Sequence, residues 1–232
     1  MNLLITGCNG FIAREISRNF KDKKYNLFLT NRSNLDIANS SQVDDFFKKN
    51  KIDYVIHTAI VGGRKEHSDG VNDLFENLVM YNNLANNSHR FKLMINLGSG
   101  AEFDRSLNIE EEFENTIFSR TPKDYYGLSK NLITRQIHQR ENIFNLRLFG
   151  CFGALEGSQR LIHAAFRSSL KNTPSMVHQN KLMDFFYVKD LCTVMDFYFK
   201  TERHSLSKDV NLCYGTKTTI KDIVVFMEWK KS

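Results

Sequence analysis

The chain has 232 residues, 41% of them hydrophobic and 25% charged, with a net charge of +6; this is room for one well-buried α/β domain, or one domain and a small appendage. The basic residues are scattered and densest at Lys21–Lys24 and Lys48–Lys51, near expected helix ends where cations suit the dipole, so the charge argues for phosphate-bearing small molecules and against nucleic acid as a partner. The four cysteines have no C-x-x-C spacing, no histidine pair has metal-ligand spacing beside a third donor, and no apolar run approaches 18 residues, which argues against a disulfide frame, a metal site and a membrane span, and for a cytoplasmic protein.

Met1–Thr6 is a short apolar run ending at glycine and reads as a buried parallel strand. TGCNGFIA (Thr6–Ala13) joins it directly to a helix over Phe11–Phe20. Gly7 can make the tight turn, and Gly10 lets backbone approach a pyrophosphate. The helix start offers N–H donors and a positive dipole end, while Ala13 still permits close helix–strand packing. In this strand–turn–helix setting the expected ligand is a dinucleotide, with Gly7, Asn9, Gly10, Phe11 and Ile12 forming the turn that holds it. The next strand, Tyr25–Thr30, ends at Asn31-Arg32 where NAD enzymes place an acidic residue for the ribose hydroxyls. With no carboxylate there to repel a 2′-phosphate and a guanidinium to bind it, NADP(H) is favoured over NAD(H). The alternative is that Arg32 is a solvated loop charge.

The alternation continues with helix 41–50, strand 53–58, helix 69–88, strand 91–97, helix 124–141 and strand 143–149. This βαβα order predicts an α/β fold, a doubly wound parallel sheet with helices on both faces. Beyond Gly150 helices are expected near 158–171, 188–200 and from 219, with short strands near 175–178, 184–187 and 210–213. We read 1–150 as the dinucleotide-binding core and 151–232 as a small C-terminal part interleaved with it.

TPKDYYGLSK (121–130) places two tyrosines before a lysine. Residues four apart on a helix share a face and residues five apart do not, so Tyr126 pairs with Lys130 while Tyr125 is left to pack elsewhere. A nearby ammonium would favour the tyrosinate and lower the Tyr126 pKa, making it a better acid toward a carbonyl oxygen.

TGCNGFIA, the serine of NLGSGAEF and YGLSK stand in the order and spacing that resemble extended short-chain dehydrogenase/reductases, the NAD-dependent epimerase/dehydratase family. The resemblance covers most of the chain. It implies a Rossmann-type core in which Tyr126 moves the proton, Lys130 binds the nicotinamide ribose and tunes Tyr126, and Ser99 holds the substrate oxygen. Ser99 stands four residues before Phe103, as the family serine does before its tyrosine; the alternative is a turn-capping serine. LTNRSNLDIANSSQVDDFF, IDYVIHTAIVGG, FENLVMYNN and YYGLSK resemble GDP-L-fucose synthase-like nucleotide-sugar reductases more closely. That likeness implies Asp36 and Ile37 by the adenine, Thr58, Ala59 and Val61 along the cofactor, and Asn77 and Asn83 on the following helix, the last two open to a reading as surface polarity.

Ala101 stands where those epimerising relatives have a cysteine, and Arg160 at the position aligned with their histidine. Neither is a useful base at neutral pH. The Asp-Glu pair of nucleotide-sugar dehydratases is replaced by Gly100-Ala101, with Glu102 one place late. In MDFFYVKD, Met183 replaces the arginine that often meets the nucleotide diphosphate, leaving Lys181 as a nearby candidate and Asp190 as a capping or pairing residue. Ser99, Gly100, Arg160 and Lys181 are therefore the expected substrate contacts. The reading is an NADPH-dependent reductase of a nucleotide-activated 4-keto sugar, acting as a homodimer. The alternatives are an epimerase/dehydratase that keeps its cofactor, and a non-catalytic dinucleotide-binding sensor or subunit.

Overall fold

The apolar runs become strands and the amphipathic stretches become helices in strict alternation through the first two thirds of the chain. A computed structural model describes residues 1–23, 25–63, 68–107, 109, 111–175, 177 and 179–229. Its elements begin with β1 (Asn2–Thr6), α1 (Phe11–Asp22), β2 (Asn26–Thr30), α2 (Ser40–Lys49), β3 (Tyr54–His57), α3 (Val71–Ala85), β4 (Leu93–Ser99), α4 (Tyr125–Ile137) and β5 (Ile143–Leu148). Then follow β6 (Cys151–Phe152), α5 (Leu161–Lys171), β7 (Leu182–Met183), β8 (Phe186–Tyr187), α6 (Val188–Lys200), β9 (Asp209–Leu212), β10 (Thr218–Thr219) and α7 (Ile220–Trp229).

Six strands form one parallel sheet in the order β2-β1-β3-β4-β5-β9. Successive side chains of a strand point to opposite faces, and both faces here are apolar. Leu3, Ile5, Ile56 and Ile95 meet Ile16 and Phe20 of α1 and Leu191, Met195 and Phe199 of α6. Leu4, Val55 and Met94 meet Val43 and Phe47 of α2, Tyr81 and Leu84 of α3, and Ile133 and Ile137 of α4. The sheet is therefore covered on both sides, as the near-continuous hydrophobic runs require.

The boundaries differ where side chains intervene. The helix expected over 69–88 stops at Ala85, because the Asn87 amide takes the Asn83 carbonyl (3.1 Å) and Asp44 (2.8 Å). The helix expected to reach 141 stops at Ile137, because Lys208 gathers the carbonyls of Arg140, Glu141 and Ile143. The strand expected near 175–178 is not formed by Ser175 or Val177; Met176 and His178 lie outside the described residues. The C-terminal part is threaded into the core, since β9 joins the sheet beside β5 and α6 shares the α1 face.

Candidate active site

Three strand ends meet where the strand order reverses: Thr6 lies in register with Thr30 of β2 on one side and His57 of β3 on the other. A reversal of this kind leaves a crevice beyond the carboxyl ends of the strands. Here it holds a cavity of about 190 Å³ that brings together Gly7, Asn9, Gly10, Asn31, Arg32, Asp36, Ile37, Thr58, Ala59 and Val61 from the expected set. Thr6, Thr30, Leu35, Ile60 and Met80 also line it; they lie within the segments quoted above but are not among the expected contacts.

Gly7 has φ +67°, and a Cβ there would lie 2.8 Å from the Ala59 Cα, so the turn accepts only glycine without strain. The Gly10 N–H closes the turn on the Gly7 carbonyl at 2.9 Å. No side chain caps α1, and its first turn contains no acidic residue, so its N–H donors and dipole suit an anion. The cradle fits a dinucleotide pyrophosphate. Beneath it the Thr6 hydroxyl accepts from the N–H groups of Thr58 (3.2 Å) and Ala59 (3.3 Å) and pairs with His57 Nδ1 at 2.9 Å. Burial pushes His57 down to about 3, so its ring is neutral and Nδ1 can accept the Thr6 proton.

Other residues of the expected set act through the frame. The Asn77 amide bonds both the N–H (2.9 Å) and the carbonyl (3.0 Å) of Val61 and reaches Ser129 at 3.3 Å, so it braces the cavity wall against α4. Asn83 holds the Ile37 carbonyl at 2.9 Å, and Asp36 takes the Ala38 N–H at 3.1 Å. Phe11 and Ile12 pack against the core below the turn. Arg32 is ion-paired with Glu76 of α3: the carboxylate missing from the end of β2 arrives from a helix 44 residues further on.

Ser99 and Tyr126 meet where β4 ends against α4, and Lys130 on the same helix reaches back to Leu97 of β4. Ser99 ends β4 and caps the 3₁₀ turn Gly100–Phe103, its hydroxyl accepting the Ala101 N–H at 3.2 Å. The capping reading of Ser99 holds, and its side chain also hydrogen-bonds the Tyr126 phenol. Asp124 caps α4 by accepting the Gly127 N–H at 2.8 Å, which sets Tyr125 and Tyr126 in its first turn. Tyr126 turns inward. Tyr125 does not pack as expected; it is exposed, because α4 buries the opposite side. Gly63, at φ +73°, lays backbone on the Tyr126 ring, where a Cβ would come within 2.6 Å. Arg105, 5.5 Å from the ring centre, is held there by Asp69 (3.2 Å) and Asp124 (2.8 Å).

The electrostatics correct one expectation. The Tyr126 phenol is raised, not lowered: burial dominates, the Ser99 hydrogen bond and Arg105 oppose it, and Glu102 and Asp69 add to it. Lys130 instead donates to the Leu97 carbonyl at 2.7 Å, and burial brings its amine down to about 8 against a pull upward from Glu102.

The expected substrate contacts are less concentrated. Gly100 is buried under Phe149, with no room for a Cβ. Arg160 donates to the Cys151 carbonyl (2.9 Å) and Glu156 (3.3 Å) and lies over the Phe11 ring, which ties it to the start of α1. Lys181 is exposed at the edge of β7. A second cavity of about 320 Å³ lies in the C-terminal part, lined by Phe152, Met183, Asp184, Tyr214 and others, without Lys181. Asp184 there accepts the N–H groups of Tyr214 and Gly215, and Asp190 takes the Tyr214 hydroxyl.

A model of the NAD dependent epimerase/dehydratase family matches residues 3–213. The GDP-L-colitose synthase of Yersinia pseudotuberculosis is 24% identical over 247 residues, covering 96% of this chain and 79% of its own length. Among solved structures, the GDP-mannoheptose C4 reductase of Campylobacter jejuni with NADP bound superposes with a TM-score of 0.85 at 21% identity, covering 98% of this chain and 82% of that one. The UDP-glucose 4-epimerase of Thermotoga maritima reaches a TM-score of 0.82 at 17% identity, covering 99% and 82%.

Proposed function

The chain belongs to the NAD dependent epimerase/dehydratase family, and within it we propose NADPH-dependent reduction of the keto group of a nucleotide-activated 4-keto sugar, on the way to a deoxysugar or polysaccharide precursor. The observation that carries the reading is the contact of the Ser99 side chain with the buried Tyr126 phenol, on the same helix as Lys130. Ala101 contributes no proton, Arg160 is tied to Cys151 and Glu156, and Glu102 points into the core. Reduction needs none of these, whereas the epimerising and dehydrating relatives resembled by the sequence use side chains at such positions.

The glycine turn and the start of α1 would hold the pyrophosphate of a reduced nicotinamide dinucleotide, which would supply the hydride for the keto carbon. Ser99 holds the carbonyl oxygen by hydrogen bond. Tyr126, kept protonated by its burial, gives its phenolic proton to the emerging alkoxide. Lys130, charged below about pH 8, stabilises the tyrosinate left behind and offers N–H donors to the ribose. Arg32 stands at the rim where a 2′-phosphate needs a guanidinium partner, which supports NADP(H) over NAD(H). Two of the relatives above are named for GDP-sugars, so GDP-4-keto sugars head the test panel. Incubation with NADPH and this panel should give oxidation of the cofactor and a reduced sugar by mass spectrometry. Tight NADPH binding with no oxidation by any member would favour a sensor or subunit.

A further inference from the structure

Glu102 was singled out in the sequence as a carboxylate one position away from dehydratase chemistry, and the structure buries it completely in the turn that carries Ser99. Its two oxygens have different partners. Oε1 accepts the Ser99 backbone N–H at 2.8 Å. Oε2 accepts from Arg147 Nε (2.7 Å), Thr134 Oγ1 (2.9 Å) and Asn145 Nδ2 (3.4 Å). Thr134 stands one helical turn after Lys130 on α4, and a Cβ on Gly98 would lie 2.5 Å from Oε1. The carboxylate is thus wedged between the end of β4, the inner face of α4 and β5. Burial pushes the Glu102 carboxyl up, with Asp209 adding to it, while Arg147 and the Ser99 N–H pull it down. Every one of the hydrogen-bond partners is a donor, the arrangement that suits the ionised acid, so the charged form is part of the proposal below.

Lys130 adds a second buried cation near this cluster. Arg147, fully buried, is shared between Glu102 and Asp209, with Asp209 2.6 Å from Nη2. One cation between two buried carboxylates leaves a net negative charge, and such an excess is costly unless another cation faces it. Lys130 stands one helical turn before Thr134, which bonds Glu102, and Lys130 Nζ holds the Leu97 carbonyl at 2.7 Å, two residues before the Ser99 N–H that Glu102 accepts. Tyr126 and Lys130 both feel the Glu102 charge, neutral His57 feels Lys130, and His138 approaches Asp209 from the end of α4 at 3.7 Å.

We propose that Glu102 is the positioning residue of the proton-transfer group: one oxygen fixes the Ser99 backbone, and the charge, locked in place by Arg147 and Thr134, is the buried anion that seats the Lys130 ammonium. The proposal rests on the reductase reading for its catalytic consequence but not for the state of Lys130. Burial lowers Lys130 and Glu102 raises it, so removing the charge should let the lysine lose its proton at lower pH.

The test follows Lys130 Nζ by ¹⁵N NMR in lysine-labelled protein, the resonance assigned by its loss in Lys130→Arg, alongside the pH profile of turnover. In Glu102→Gln the Lys130 midpoint should fall by about one unit or more, with kcat at pH 7 down about tenfold or more and the alkaline limb displaced with the midpoint. Asp209→Asn, which removes the other carboxylate on Arg147 but no Ser99 contact, should lower Tm and displace the midpoint less than Glu102→Gln does; an equal displacement would overturn the proposal. An unchanged midpoint and profile in Glu102→Gln, with Tm alone reduced, would overturn the proposal. Should that variant not fold, Glu102→Asp keeps the charge but is too short to hold both Ser99 and Arg147; it should lose kcat with the midpoint retained, and full kcat would overturn the Ser99 role. Because the NMR midpoint needs neither cofactor nor substrate, a wild-type protein that reduces nothing would refute the reductase reading without deciding this one.

Discussion

At the scale of single residues, two side chains set the expected behaviour. Lys130 is brought down to about 8 by burial, so its ammonium is present below that pH and lost above it. The profile of kcat/KM for NADPH reports groups of the free enzyme; it should therefore fall above about pH 8, and a profile flat to pH 9.5 would contradict a role for the charge. The linkage has the opposite sign for stability. The unfolded chain holds this proton up to about the ordinary 10.5, so the buried ammonium costs stability below about 8, and that cost is relieved as pH rises from there. Activity and stability should part company in that window, which thermal melts between pH 8 and 9.5 can show. The second side chain is Arg32, paired with Glu76. Arg32→Ala should raise the Kd for NADPH about 10- to 100-fold and that for NADH little. Glu76→Gln should tighten NADPH by up to about fivefold, since it frees the guanidinium and removes a like charge from a phosphate. Equal losses for both cofactors in Arg32→Ala would exclude a 2′-phosphate contact.

The unit at the scale of elements is the strand–turn–helix β1–Gly7–α1. Gly7→Ala must place a methyl against the Ala59 backbone at positive φ, so the turn has to open. We expect a loss of about 1–2 kcal/mol or more in stability together with at least tenfold weaker binding of both cofactors, measured by melting and by fluorescence titration. This element was readable from sequence because every part of it is local: an apolar run, two glycines and an amphipathic stretch. The helix carrying Tyr126 and Lys130 was readable for the same reason, through its local spacing. What could not be read depends on distant partners. Glu102 meets Arg147 across 45 residues and Arg147 meets Asp209 across 62, and no spacing rule relates them. The direction of the Tyr126 shift was missed because burial, which outweighs the neighbouring cations, is a property of the packed fold. The two-residue strands at 151–152 and 182–183 are too short to have a period.

Across the whole molecule, the glycine cradle and Ser99 lie at the carboxyl ends of inner strands β1 and β4, while the C-terminal part adds β9 to the sheet and a second cavity beside β6 and β7. A homodimer is the expectation from the sequence, and Val71, Phe75 and Val79 stand exposed along α3. We propose that this stripe is the homodimer contact. Phe75→Glu should convert a dimer to a monomer in light scattering, and a wild-type monomer at micromolar concentration would refute it. The central claim is that Tyr126 transfers the proton in reduction of a nucleotide 4-keto sugar. Its most direct test is single-turnover oxidation of NADPH by wild type and Tyr126→Phe with the same sugar. The account predicts a cofactor-stoichiometric burst in wild type and a rate lower by about a hundredfold or more in the variant at similar NADPH affinity; equal bursts would contradict it.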